Sequence, residues 1–160
     1  MTLERVSTFG VSRSIVEESE QSLKAAGADG YELFVLWSGV IEDDVFRVRN
    51  AHVPKQTSYQ TEDGLLVRVD GAALHTLNVW LFENNETLGV QVHAHPTRAF
   101  HSHTDNTFPI VTTLGGMSIV AADFARDGLL NRRTAAFRLT KTGWAPIRKP
   151  WRSPLIGVGA

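Results

Sequence analysis

Glycine-bounded runs of bulky apolar residues, interleaved with two helical periodicities, confine this chain to a mixed helix-and-strand domain. Glu32-Leu-Phe-Val-Leu-Trp37 lies between Gly30 and Gly39, and Val45-Phe-Arg-Val-Arg49 alternates like a half-buried strand, so the two are expected to pair. Ile15, Ser19, Leu23 and Ala26 recur at helical intervals before Gly27, and Ser14 to Glu17 has capping-box spacing, which predicts a helix over 12–26 ended by glycine. Ala72, Ala73, Leu77, Trp80 and Leu81 predict a second helix over 71–83, capped by Asp70 and closed near Asn84-Asn85. At 160 residues, 42% hydrophobic and 21% charged, the chain is about one packed domain, and disordered, collagen-like and coiled-coil classes are excluded.

The remaining segments are expected to extend a sheet. Leu88 to His95 reads as a strand, and Ile110 to Leu114, Gly115-Gly116 and Met117 to Ala122 read as two strands or one broken by a bulge. Thr134 to Thr140 and Trp144 to Ile147 suggest a hairpin whose second arm Pro146 restricts to an edge. Residues 52–64 read as an exposed polar loop long enough to grip a partner, and the tail over 150–160 as loose and flexible.

The absence of cysteine removes disulfides, thiolate zinc fingers and cysteine nucleophiles. No apolar run approaches the roughly 18 residues of a membrane span, and Glu4 stands where a signal peptide needs basic residues, so a cytoplasmic protein is the expectation. The net charge of -1 gives no reason to expect a nucleic-acid partner. Its distribution is uneven. Residues 126–160 hold eight basic residues against Asp127, a net of +7, which leaves -8 for residues 1–125. A solvated basic face on an outer strand pair accounts for this, and a contact with an acidic partner or a nucleic acid is the alternative.

Four of the six histidines, His93, His95, His101 and His103, fall within eleven residues. In a strand, side chains two apart share a face, so His93 and His95 project together about 7 Å apart along the backbone, while Val92 and Ala94 turn to the core. Two imidazoles so placed can hold one ion, and a catalytic zinc ion takes a third protein ligand. Asp105 can supply it from a short helix or turn after Pro96. Each residue also has a plainer reading. The His pair can be a satisfied polar pair, and Ser102 and Asp105 can be turn or helix-cap residues. His101 and His103 can replace Asp105 as ligands or be ordinary exposed loop residues.

Taken together, Glu32 at the head of an apolar strand, His93-Ala-His95-Pro96 and Ser102-x-x-Asp105 resemble the JAMM motif of the JAB/MPN metalloproteases. The resemblance covers roughly residues 12–125 in element order, and His52-Val-Pro-Lys-Gln-Thr57 is similar to the segment after the second strand in the deubiquitinating branch. It departs in two places. Six residues separate His95 from Ser102 where seven are usual, so the loop must absorb the difference for Asp105 to reach the ion, and Val35 replaces a common glycine.

The resemblance implies an α/β (α+β) fold: a single JAB/MPN-like, cytidine-deaminase-like domain over residues 1–160, its mixed sheet curled around and flanked by helices. It further implies Zn2+ held by His93, His95 and Asp105, with Glu32 activating water and Ser102 stabilising the oxyanion. The implied activity is a bacterial-type zinc isopeptidase or peptidase cutting after the C-terminal glycine of ubiquitin or a ubiquitin-like protein. Such a protein would sit beside E1- and E2-like operon partners in antiphage defence, with the 52–64 loop and the 71–83 helix touching the substrate. The alternatives are an inactive MPN scaffold and a sulfur-carrier-processing metallopeptidase.

Overall fold

The computed structural model describes residues 2–62, 64–107 and 109–160. Strand β1 (Thr8–Ser12) leads into helix α1 (Arg13–Ala28), then β2 (Phe34–Glu42), β3 (Val45–His52), β4 (Gln56–Thr61), β5 (Gly64–Val69) and helix α2 (Gly71–Asn84). Strand β6 (Thr87–Ala94), the short helix α3 (His103–Thr107), β7 (Met117–Ala121), β8 (Ala135–Thr140), β9 (Gly143–Pro146) and β10 (Ile156–Gly159) complete the order. One mixed sheet runs β10-β1-β3-β2-β6-β7-β8-β9, and β4-β5 form a separate antiparallel pair. The expected pairing of β2 with β3 is present and antiparallel.

Both faces of the central strands are covered, which is why β2 reads as a continuous apolar run rather than an alternating one. Val35 and Trp37 point into the core beneath α1, and Phe34 and Leu36 pack with Leu77 and Leu81 of α2 on the other face. The buried Trp37 indole N–H donates to Ser19 Oγ at 2.8 Å, and Ser19 Oγ–H donates back to Ile15 O at 2.8 Å, tying α1 to the sheet by a satisfied polar contact.

Several boundaries differ from expectation for local reasons. The cap of α1 is Ser12, whose extended backbone lets its Oγ accept from the Ile15 amide, so Ser14 is not the cap. Gly39 does not end β2. It sits at a bulge where an added Cβ would lie 1.9 Å from Arg47 O, so only glycine admits the neighbouring backbone. Within the 52–64 segment expected as an open loop, residues 56–61 form β4, which pairs antiparallel with β5 over 64–69, with Asp63 outside the described residues. Residues 110–114 form no strand, because the buried Gln91 Oε1 accepts the amides of Ile110 and Val111 (3.0 and 2.9 Å) in place of a neighbouring strand. The tail is not loose: β10 pairs in parallel with β1 at the sheet edge. Asp70 caps α2 as expected, and Asn85 closes it in the left-handed conformation.

Gly27 lies inside α1 rather than ending it, and an added Cβ would stand 2.4 Å from the Phe124 Cβ. Gly27→Ala therefore lowers stability by about 1–3 kcal/mol through overpacking, against the roughly 1 kcal/mol gain that alanine brings to an open helix. Urea denaturation reads the sign, and a raised midpoint would refute the Phe124 contact.

Candidate metal centre

The centre lies where the parallel strands β6 and β7 end. His93 on β6 and His95, one residue past its end, share the face opposite Val92 and Ala94, as their spacing predicts. Their Nε2 atoms face each other at 3.2 Å. Asp105 Oδ1 lies 3.3 Å from His93 Nε2, and Asp105 Oδ2 lies 3.4 Å from His95 Nε2. Two ligands about 2.05 Å from a tetrahedral zinc ion stand about 3.3 Å apart, and each of the three separations is close to that length, the two to Asp105 being made by different carboxylate oxygens. The donor set also fits in kind: two imidazole nitrogens and a carboxylate, buried at 1%, 6% and 9% exposure.

Packing orients these side chains. The Phe34 ring lies 4.6 Å from the His93 ring, and the His93 Nδ1 is buried with no hydrogen-bond partner among the described residues, so its aim is set by ring contact. His95 meets the edge of Phe100 at 4.5 Å, and Arg98 lies over that ring. Behind His95 runs a left-handed turn of three non-glycine residues, Asp123, Phe124 and Ala125 (φ 50°, 53° and 61°). Such backbone costs roughly 1–2 kcal/mol per residue. The turn sends the Asp123 and Phe124 amides to Thr97 O (2.8 Å) and His95 O (2.9 Å), holding the chain as it leaves β6.

Ser102 and Asp105 cap each other across the first turn of α3. The Ser102 amide donates to Asp105 Oδ2 (2.8 Å), and the Asp105 amide donates to Ser102 Oγ (3.1 Å). The plainer cap reading and the ligand reading thus describe the same geometry. Ser102 Oγ accepts, which leaves its own proton to donate. Burial pushes the Asp105 carboxyl up, yet the facing His93 and His95 and the Ser102 amide outweigh it and hold Asp105 well below the usual carboxylate range. The short loop after Pro96 brings Asp105 to the histidines, so the missing residue is absorbed there.

Glu32, two residues before β2, lines a cleft with Phe34, Leu65, Leu66, Val67, Ser102, Thr104 and Asp105. Burial raises its pKa from 4.5 to about 7, with His95 opposing the rise and Asp105 adding to it. A carboxyl poised near neutrality beside the ligand cluster has the character of a general base. Its strand is held by Gln56, whose side chain takes the place of a neighbouring strand: the Phe34 amide donates to Gln56 Oε1 (2.7 Å), and Gln56 Nε2 donates to Phe34 O (3.0 Å).

His101 and His103 do not join the cluster of His93, His95 and Asp105. His103 is exposed, and the half-buried His101 has both ring nitrogens engaged, with Ser118 Oγ (2.8 Å) and Asn106 Oδ1 (3.0 Å). Its stacking on Phe137 and edge contact with Trp144 also set it apart from an exposed loop residue. Gln56, Gln91, Ser118 and Asn106 had no signal of their own in the sequence beyond the Pro-Lys-Gln run.

Over 146 residues the chain is 39% identical to the probable metalloprotease y4jG of Sinorhizobium fredii (strain NBRC 101917 / NGR234), covering 91% of this chain and 90% of that protein. The chain belongs to this metalloprotease family. No protein-family model matches the sequence. The solution structure of protein DSY2949 from Desulfitobacterium hafniense superposes on this metalloprotease relative with a TM-score of 0.64 at 14% identity, covering 95% of this chain and 93% of that one, and so shares the mixed α+β fold. Among the described residues, no helix of the metalloprotease relative is long and apolar enough to cross a membrane.

Proposed function

We propose that this chain is a JAMM-type zinc metalloprotease, a single JAB/MPN domain that hydrolyses the bond after the C-terminal glycine of ubiquitin or a ubiquitin-like protein. The observation that carries the reading is the buried cluster of His93, His95 and Asp105, whose nitrogens and carboxylate lie within 3.4 Å of one another, with Glu32 in the adjoining cleft. Zinc held by His93, His95 and Asp105 would supply a Lewis acid for the scissile carbonyl and would make a water molecule acidic enough to give up a proton near neutral pH. Glu32 takes the proton of the attacking water on a carboxylate oxygen and returns it to the departing amine as the C–N bond breaks. Ser102 Oγ–H donates to the carbonyl oxygen as charge develops on it.

The surroundings favour an extended, apolar substrate tail. Among the described residues β5 is paired only with β4, which leaves its other edge without a strand partner there, beside Leu65, Leu66 and Val67 of the cleft. A groove of about 870 Å³ continues past Phe34, Val69, Leu74, Pro109 and Ile110. Beyond it, Phe82 is 85% exposed and Val79 is exposed on α2, an apolar surface suited to the folded body of a substrate. The cytoplasmic setting with E1- and E2-like partners in a defence operon belongs to the same proposal.

A cleavage panel tests it. Lysine-linked conjugates and linear fusions of ubiquitin-like proteins are cut, and a chelator abolishes cutting. Processing of fusions alone favours the sulfur-carrier-processing peptidase, and no cutting by the zinc-loaded protein favours an inactive scaffold. Ser102→Ala lowers kcat by about 10²–10³ with little change in KM, since its hydroxyl acts on charge that exists only in the transition state. An unchanged kcat would leave Ser102 with its cap role alone.

A further inference from the structure

The turn carrying Ser102 and Asp105 is bracketed by two residues that the proposed chemistry does not use. His101 precedes it, Asn106 follows it, and the two are bonded to each other. With Asn106 presenting its carbonyl oxygen, the ring is the neutral tautomer whose Nδ1–H donates to Asn106 Oδ1 (3.0 Å), which leaves Nε2 to accept from Ser118 Oγ–H (2.8 Å). Ser118 Oγ accepts in turn from Gln91 Nε2 (3.3 Å). Gln91 and Ser118 are register partners on the parallel strands β6 and β7, and both are fully buried. The His101 ring is stacked on Phe137 at 4.2 Å and 27°, with Trp144 edge-on at 5.3 Å.

We propose that His101 is a positioning residue, which clamps the two ends of the Ser102–Asp105 turn and fixes them to β7 so that the Asp105 carboxylate meets the His93 and His95 nitrogens at the spacing a shared divalent cation requires. The inference rests on the metal-site reading above. Three features give the clamp its force. The ring has no free nitrogen, so it cannot rotate without losing a bond. Its anchor strand β7 is hydrogen-bonded to the strand that carries His93, so sheet geometry transmits directly to the Asp105 side. The clamped element is a single helical turn of five residues, too short to hold its own position.

His101→Phe keeps the stacking surface and removes both hydrogen bonds, and Asn106→Ala removes only the acceptor. Cobalt(II) alone is titrated into metal-free wild type and both variants, reading affinity and the visible absorption spectrum, with a melt of each metal-free protein beside it. Each variant is expected to bind cobalt about 10-fold or more weakly, with shifted absorption bands. The metal-free Asn106→Ala protein is expected to melt close to wild type, a combination that a purely structural role would not produce. Folded variants with wild-type affinity and spectrum would overturn the clamp, and Asn106→Ala decides the matter should His101→Phe fail to fold. Failure of wild type itself to bind cobalt would overturn the metal site, a result distinct from loss of the clamp.

Discussion

The Glu32→Gln protein is expected to bind zinc with wild-type stoichiometry while its cleavage rate falls by about 10²–10⁴-fold, the usual worth of a positioned general base. Glutamine keeps the shape of the side chain in the cleft and cannot accept a proton. The pH profile adds a second readout. Only the carboxylate form is a base, so wild-type kcat/KM rises with pH through the ionisation of Glu32. Burial places that ionisation at about 7 in the protein without metal, and a bound cation favours the carboxylate and moves the rising limb to lower pH.

The same shift has a stability consequence of definite sign. A carboxyl whose pKa rises from 4.5 to about 7 on folding opposes the folded state increasingly as pH climbs through that interval. Metal-free Glu32→Gln should therefore melt a few degrees above wild type at pH 8 and level with it at pH 4. A fully active Glu32→Gln protein would remove Glu32 from the mechanism.

The second large effect is at the ligands. His95→Ala is expected to lose both metal and activity, with zinc content below about 0.1 per chain and cleavage down more than about 100-fold, because two remaining ligands do not hold a site that needs three. Neither nearby histidine substitutes: His101 is bonded at both nitrogens, and the exposed His103 has its Nε2 near Thr107 Oγ1 at 3.4 Å. His95→Gln, which keeps most of the bulk against Phe100, loses metal as well and separates ligation from packing. Wild-type zinc content in His95→Ala would exclude His95 as a ligand.

What the sequence made legible follows from how local each signal is. The shared face of His93 and His95 depends only on the two-residue period of a strand, and the two main helices depend only on their own apolar stripes, so these were readable. Asp105 needed the path of a loop, which the spacing of Ser102-x-x-Asp105 supplied through resemblance rather than through geometry. The β4 strand was hidden because its half-buried face carries the polar Gln56 and Ser58, so the run Gln56-Thr-Ser-Tyr-Gln-Thr61 shows no apolar-polar alternation in the sequence. Ile110-Val111 looked like a strand but gives its amides to the side chain of Gln91. The tail found its partner in β1, almost the whole chain length away, and no local pattern can announce such a pairing. His101 was hidden for the same reason, since Phe137 and Trp144 come to it from a distant hairpin.

The assignment of His93, His95 and Asp105 as one ligand set is tested most directly by the metal content of purified protein, followed by zinc titration after chelator treatment. Wild type is expected to carry about one zinc ion per chain, restored after stripping, and a folded His93→Ala/His95→Ala/Asp105→Ala protein is expected to carry none. Wild-type protein that carries less than about 0.1 zinc per chain and takes up none on titration would contradict that assignment.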